Sequence, residues 1–418
     1  MLVVGGGAAG IVAAWRAASL GARVILLEKT PRLGTKISIS GGGKCNITHE
    51  GTIEDVLKGF RRDEARFLRP AMYRWTNRQM VDLLVARGLK VYTRPDGRIF
   101  PVDQTAKDVV AILASLLEEV GVDVRVRTPV TGLVLESGRA AGVRVGEDAF
   151  LAPRVVVSTG GSSYPNSGTT GDGWRWAREA GHTIVPVRAA LAPIYLKTTE
   201  DWAELSGVAL RDVVLKARVQ GREADRWRGD LLFTHQGLSG PCALEVSRVV
   251  AERMIAEEIT LAVDLIPDQP SDRFAESLHA QAMAAPKRGA RSLIESLLPE
   301  RLHDRLLADA RLPEAPVGQL GRKAINRLAE TLKAWPLATV RTVPLEKGEV
   351  VAGGVSLAEV DPHSMRSLHC EGLFLCGEVL DVAGRVGGYN LQAAWSTGFV
   401  AGETAAKETV EIGTARSS

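Results

Sequence analysis

The sequence predicts an α/β chain: a parallel sheet flanked by helices, interrupted by a β-rich stretch that carries a small helical region. Three observations predict it. The chain opens on a short apolar run, a glycine turn and a small-sided helix. Apolar runs near residues 154–157 and 372–376 each end in bare glycine, far from that opening. Between them, from residue 187, the composition shifts to strand-like alternation.

Leu2 to Val4 read as the first strand. Gly5, Gly7 and Gly10 then fit G-x-G-x-x-G. Gly5 permits a tight turn, Gly7 lets a pyrophosphate approach the backbone, and Gly10 lets the next helix pack on the strand. That helix carries Ala13, Ala14, Ala17 and Ala18 on a small-sided surface, and Ala8 and Ala9 open it. Its N-terminus directs free N–H groups and partial positive charge at phosphates. Arg23 to Leu27 read as a second strand ending at Glu28, an acid suited to the two ribose hydroxyls of an adenosine. Glu28 also disfavours a 2′-phosphate, and with it NADP at this position.

The chain has 418 residues, enough for two or three domains, and its 45% hydrophobic content allows a full core. A net charge of +3 does not argue for nucleic acid. Cys45, Cys242, Cys370 and Cys376 include no C-x-x-C, which argues against a thiol relay or a zinc knuckle. No metal site is expected, and the cysteines fit a reduced, cytoplasmic chain. No run approaches the ~20 apolar residues of a membrane span. The apolar start lacks the basic flank of a signal peptide. The first strand is short, as it would be with a start placed a few residues late.

Residues 32–48, with Lys36, Ser40, Gly41, Gly42, Gly43, Lys44, Cys45 and Asn46, lack helical or strand periodicity and read as a loop lying against an anionic ligand. Residues 53–90 read as helical and charged. Thr105 to Val120 is an amphipathic helix with a Thr105/Asp108 capping box. Residues 122–157 read as a meander, turning at Ser137-Gly138 and feeding a buried strand, Arg154 to Val157, that ends at Thr159-Gly160-Gly161. Asp172 reads as the N-cap of a helix containing Trp174 and Trp176. Residues 187–266 alternate as strands, and 267–335 are helical. The chain then returns to an apolar strand ending at Gly377-Glu378, to Gly387-Gly388, and to a helix from about Gln392 to Ala406. The expected division is a discontinuous domain of residues 1–186 and 354–418, a β-domain of 187–266 and 336–353, and a helical domain of 267–335.

Three separated segments thus share one design: strand, bare glycines, then a polar residue or helix start. A nicotinamide domain needs mainly the first, whereas a long FAD stretched over one sheet needs all three. Glu378 suits a ribityl hydroxyl or a pyrophosphate-bound water. The backbone at Asn390-Leu391 suits the flavin pyrimidine edge, where helix-end potential favours an anionic reduced flavin.

The pieces Ser40 to Asn46, Thr159 to Pro165, Leu232 to Pro241, Gly377 to Asp381 and Gly387 to Gln392 resemble the bacterial aminoacetone oxidase family of FAD-binding enzymes. That group is related to the flavoproteins of bile-acid dehydroxylation clusters and, more distantly, to fumarate reductase flavoprotein subunits. Lys44 stands where many relatives have arginine. The resemblance implies a Rossmann-like FAD/NAD(P)-binding domain, an inserted β-barrel-like domain and a small helical domain. It implies a non-covalent FAD held by the three segments, with Lys29, Lys36, Ser40, Gly41, Gly42, Cys45, Asn46, Val130, Thr159, Gly160, Gly161, Gly377, Glu378, Gly388, Asn390 and Leu391 joining Gly5, Gly7, Ala8, Ala9, Gly10 and Glu28.

The expected activity is hydride transfer between FAD and a small organic substrate, an amine or an unsaturated or carbonyl compound. Oxygen or NAD(P)H is the electron partner. Without a second G-x-G-x-x-G, NAD(P)H would bind only transiently as reductant. His235 is the candidate proton donor, and Tyr164 and Tyr389 are candidate stacking groups. Cys45 is a candidate flavin-facing thiol, and Lys36 and Lys44 are candidate anion partners. The rival reading is a tRNA-modifying flavoprotein. It needs a basic face, yet Arg288, Arg291, Arg301, Arg305, Arg311, Arg322, Lys323 and Arg327 are interleaved with acids, so nucleic acid is not expected. The sequence leaves the oligomeric state open.

Overall fold

The computed structural model describes residues 1–197 and 200–417; residues 198 and 199 of the expected β-domain, and 418 of the closing segment, lie outside it. The chain divides into two compact units, Met1–Val187 with Glu349–Ser418, and Arg188–Gly348.

The first unit is built on a five-stranded sheet in the order Leu373–Leu375, Val155–Val157, Leu2–Val4, Ile25–Leu27, Asp123–Arg125. Every pairing is parallel, with Leu2 opposite both Val155 and Ile25, and Val155 opposite Leu373. The three adjacent apolar strands Leu373–Leu375, Val155–Val157 and Leu2–Val4 are wholly buried, the pattern of a sheet covered on both faces. Parallel direction puts all the carboxyl ends, and hence the glycine turns that follow them, at one edge.

Two sequence expectations change here. The run at 122–126 joins the parallel sheet as its edge strand, pairing with Ile25–Leu27, and the meander is made only by Gly132–Glu136, Arg139–Val145 and Asp148–Leu151. The segment expected to be a loop contains helix, Thr35–Gly43, broken where Ser40 is extended and Gly41 and Gly42 take φ of +55° and +67°. Packing supplies what periodicity lacked: a Cβ at Gly34 would sit 2.6 Å from Val110, so this turn lies directly on the helix Ala106–Glu119. That helix has the expected capping box, with the Thr105 N–H donating to Asp108 at 2.7 Å.

The first helix, Ala8–Ser19, lies against the last, Tyr389–Ser417, with no room for side chains between their backbones. A Cβ at Gly398 would stand 2.2 Å from the Ala9 carbonyl oxygen, and one at Gly402 would stand 2.1 Å from that of Ala13. The last helix begins at Tyr389, earlier than the expected Gln392, because Gly387 and Gly388, at φ +142° and +86°, complete the turn before it. Arg16 and Arg74 both donate to Glu403, which is 6% exposed, and Trp75 stacks on Phe399 at 4.4 Å.

The second unit contains a closed barrel in the order Ile194–Leu196, Gly237–Ser239, Arg222–Thr234, Ala209–Val219, Ile259–Asp264, Trp335–Thr342. Trp202, Phe233 and Trp335 pack together within its apolar core. The stretch expected as strands also contains a helix, Pro241–Arg253. Pro241 suits a first helical turn, and Cys242, Ala243, Val246 and Val250 face the core at helical spacing. The expected helical stretch contains the helices Ser271–Ala284, His303–Asp309 and Arg322–Lys333, joined by shorter turns.

Two outcomes follow from the helix contact. Gly398→Val lowers the thermal midpoint by several degrees or prevents folding, because overpacking of this kind costs at least about 1–3 kcal/mol. Burial works to raise the Glu403 carboxyl, but hydrogen bonds from Arg74 and Arg16 overcome it and hold the group at about 2, against an ordinary 4.5. A depressed carboxylate stabilises above its ordinary value and loses that contribution as pH falls through its folded one. The difference in urea midpoint between wild type and Glu403→Gln is therefore largest near neutrality and shrinks as pH falls from 4.5 toward 2.

Candidate functional site

The first strand delivers the chain into a turn that only glycine fits. Gly5 has φ +102°, and a Cβ at Gly10 would lie 1.8 Å from the Gly5 carbonyl oxygen. The space beside Gly7 is open: no atom lies within 4 Å of where its Cβ would be. This open, bare backbone at the N-terminus of the helix Ala8–Ser19 can face a phosphate. At the end of the second strand Glu28 is 9% exposed. Its carboxylate accepts the Gly6 N–H at 2.6 Å and the Thr30 N–H at 2.7 Å. Those two bonds fix its position and leave lone pairs for further donors such as ribose hydroxyls.

The other two strand ends meet this turn. The Ser158 hydroxyl donates to the Val4 carbonyl at 2.8 Å, tying the second glycine segment to the first. Gly160 takes φ +72°, and a Cβ at Gly161 would stand 3.2 Å from the Glu378 carboxylate. Gly377 has φ +74°, and its Cβ would lie 2.8 Å from that of Ala9. The Ser162 hydroxyl in this region is buried with no hydrogen-bond partner. Lys36 reaches in from the broken helix, donating to Glu378 at 2.6 Å and to the Ser163 hydroxyl at 2.8 Å. Glu378 also accepts the Val351 N–H at 3.2 Å. The expected anion partner and the expected ribityl acid are thus paired with each other.

Asn46 joins the 40–46 turn to the start of the last helix, donating to the Thr48 carbonyl at 3.2 Å and accepting the Gly388 N–H at 2.9 Å. Asn390 accepts the Gly384 N–H at 2.8 Å and donates to the Gly384 carbonyl at 2.9 Å, bracing the loop that precedes Gly388. The Ser40 hydroxyl donates to the Ile37 carbonyl at 2.7 Å. Cys45 is fully buried, and burial pushes its thiol up to about 12 against a small opposing pull from Ser40. It is a packed, protonated thiol rather than a thiolate. Leu391 is partly buried in the first turn of the last helix, and Val130 is buried just before the meander.

Other candidates are placed differently. Lys29 donates to Asp172 at 2.6 Å and to Thr170 at 2.7 Å. Asp172 is not an N-cap: Gly171 holds that position, and the Asp172 carboxylate serves the ion pair instead. Lys44 is exposed. Tyr164 is 40% exposed and left-handed at φ 49°. Tyr389 stacks on His49 at 4.7 Å and meets Phe60 edge-on. His235 belongs to the second unit, exposed in the turn between the strands Arg222–Thr234 and Gly237–Ser239.

Residues not singled out in the sequence also enter the site. Ser163 holds Lys36, and the Thr397 hydroxyl accepts the Gly377 N–H at 3.0 Å. Glu349 is exposed, yet crowding by surrounding protein pushes its carboxyl up, against the pull of Lys36 and Arg98. Glu349 sits between strands with no local pattern to mark it, so only the fold reveals its proximity to these charges.

The fold and this set of strand ends define a class: a flavoenzyme on a Rossmann-type FAD-binding sheet. A family model described as the HI0933-like protein Rossmann domain matches residues 1–404, and the chain belongs to that family of FAD-dependent oxidoreductases. It is 30% identical over 407 residues to the ribosomal RNA dihydrouridine synthase of Escherichia coli, covering 95% of this chain and 96% of that one. It is also 30% identical to the 3-dehydro-bile acid delta(4,6)-reductase of Clostridium scindens, covering 97% and 98%. Among solved structures, the 3-ketosteroid delta1-dehydrogenase of Sterolibacterium denitrificans aligns over 97% of this chain and 99% of its own, with a TM-score of 0.52 and 15% identity. Among the described residues, no helix is long and apolar enough to cross a membrane.

Two measurements check this geometry. Gly10→Val, which forces a side chain onto the Gly5 carbonyl, yields protein with less than about a tenth of the wild-type flavin absorbance per chain. Cys45 stays unalkylated by iodoacetamide at pH 8 in native protein and is alkylated in denaturant, as peptide mapping by mass spectrometry shows.

Proposed function

We propose that this chain holds FAD non-covalently along the carboxyl edge of its five-stranded sheet and reduces a carbon–carbon double bond conjugated to a carbonyl in an organic substrate. The observation that carries the flavin assignment is the meeting of three glycine-bared strand ends, Gly5–Gly10, Thr159–Gly161 and Gly377–Glu378, with Glu28 beside the first. When bound, FAD supplies a reversible two-electron hydride carrier. In this reading Glu28 orients the adenosine ribose, and the open backbone at Gly7 faces the pyrophosphate. The Lys36–Glu378 pair presents hydrogen-bonding groups of both signs without net charge. The first turn of the helix Tyr389–Ser417 directs positive potential at any negative charge that develops on a neighbouring ring.

The choice of a conjugated alkene draws on the two full-length relatives. Both names denote saturation of a ring double bond, in uridine for one and in a 3-oxo bile acid for the other. Neither name denotes amine oxidation. NAD(P)H is proposed as a transient reductant, and a small molecule as the substrate. The 30% identity to the Escherichia coli enzyme supports a second reading, in which the reduced ring is a uridine in ribosomal RNA.

Anaerobic stopped-flow mixing tests the proposal. The yellow protein is bleached near ~450 nm by NADH or NADPH, and the bleached form is reoxidised by a 3-oxo-Δ4 steroid or by unmodified ribosomal RNA, with recovery of the saturated product. Bleaching by amines with peroxide release in air, and no reoxidation by either alkene, overturns it.

A further inference from the structure

A second set of chemically capable side chains lies at the amino end of the strand Leu373–Leu375, the other end from Glu378. His182 precedes the strand Ile184–Ala190, Glu359 closes a short 3₁₀ turn, and His369 sits in the Ser367–Cys370 loop that leads into Leu373. The ligand atoms of these three residues all lie within 4.8 Å of one another. His182 Nδ1 is 3.4 Å from Glu359 Oε2, and His369 Nε2 is 3.7 Å from Glu359 Oε1.

Those separations are too long for good hydrogen bonds. They are close to the spacing of two ligands on one tetrahedral ion, about 3.3–3.6 Å for metal–ligand distances of about 2.0–2.2 Å. His182 is 3% exposed, and its Nδ1 is buried with no hydrogen-bond partner. Its other nitrogen, Nε2, lies 2.7 Å from the Ser367 hydroxyl, a contact that fixes the ring. Glu359 is oriented by the Thr183 N–H at 2.7 Å.

His369 is exposed and borders a surface recess of about 600 Å3 that also includes Arg366, Cys370 and Glu371. A shift of about 1 Å in the exposed His369 ring closes the widest edge of the triangle.

We propose that His182 Nδ1, the Glu359 carboxylate and His369 Nε2 bind one divalent transition-metal cation such as zinc, with water completing the coordination. The ion joins His182 to the Glu359–His369 segment, more than a hundred residues further along the chain, so it acts as a clip on the edge of the sheet rather than as a participant in flavin chemistry.

The test uses flavin-loaded full-length protein, stripped with EDTA, dialysed and titrated with zinc chloride. Calorimetry and elemental analysis find one equivalent bound, with a rise of several degrees in thermal midpoint. His369→Ala changes an exposed position, so it retains the flavin spectrum and the metal-free midpoint while losing about 10- to 100-fold in zinc affinity and most of the thermal gain. Glu359→Gln gives the same loss and serves as the readout should His369→Ala misfold. Less than about 0.2 equivalents of zinc in wild type, or equal zinc binding in wild type and both variants, overturns the site.

Discussion

The approach of two helix backbones governs the first unit. Where Gly398 and Gly402 meet the Ala9 and Ala13 carbonyls, there is no space for even a methyl group. Contact this close brings the last helix down onto the first, and the sheet strands follow. Leu373–Leu375 settles beside Val155–Val157, which pairs with Leu2–Val4. Residues from the start, middle and end of the chain therefore share one sheet edge. Glu403, held by Arg16 and Arg74, fastens the same contact electrostatically.

That edge has the features the proposed FAD needs. Its glycines bare the backbone where a ligand must come close, and its charges are already engaged. Glu28 is held by two backbone amides, Lys36 by Glu378 and Ser163, and Lys29 by Asp172 and Thr170. Side chains held this way lose little freedom when a ligand arrives, and preorganisation of this kind favours binding. The buried Cys45 thiol belongs to the packing of the turn and carries no charge to the site.

The cluster of His182, Glu359 and His369 stands apart from this edge in place and in chemistry. It occupies the amino end of a strand whose carboxyl end carries Glu378, and it draws on side chains with no role near Gly5–Gly10. One strand thus connects the glycine-rich edge to the proposed metal clip.

Much of this was legible in the sequence wherever the signal was local. The glycine turn at Gly5–Gly10, the acid at Glu28, the capping box at Thr105 and the apolar strands each depend on neighbours a few residues away, where steric and hydrogen-bonding rules act directly on the chain. The misreadings came where tertiary contact overrode local preference. Val110 packs against the 35–43 segment and supports helix there, Asp172 gives its carboxylate to Lys29 instead of a cap, and the run at 122–126 pairs with the sheet rather than the meander. The sequence by itself determined the glycine turn and the class of fold, because those follow from residue size and spacing. Only the tertiary structure decided which charges pair and that His182, Glu359 and His369 converge, because those contacts are made between residues ten to hundreds of positions apart.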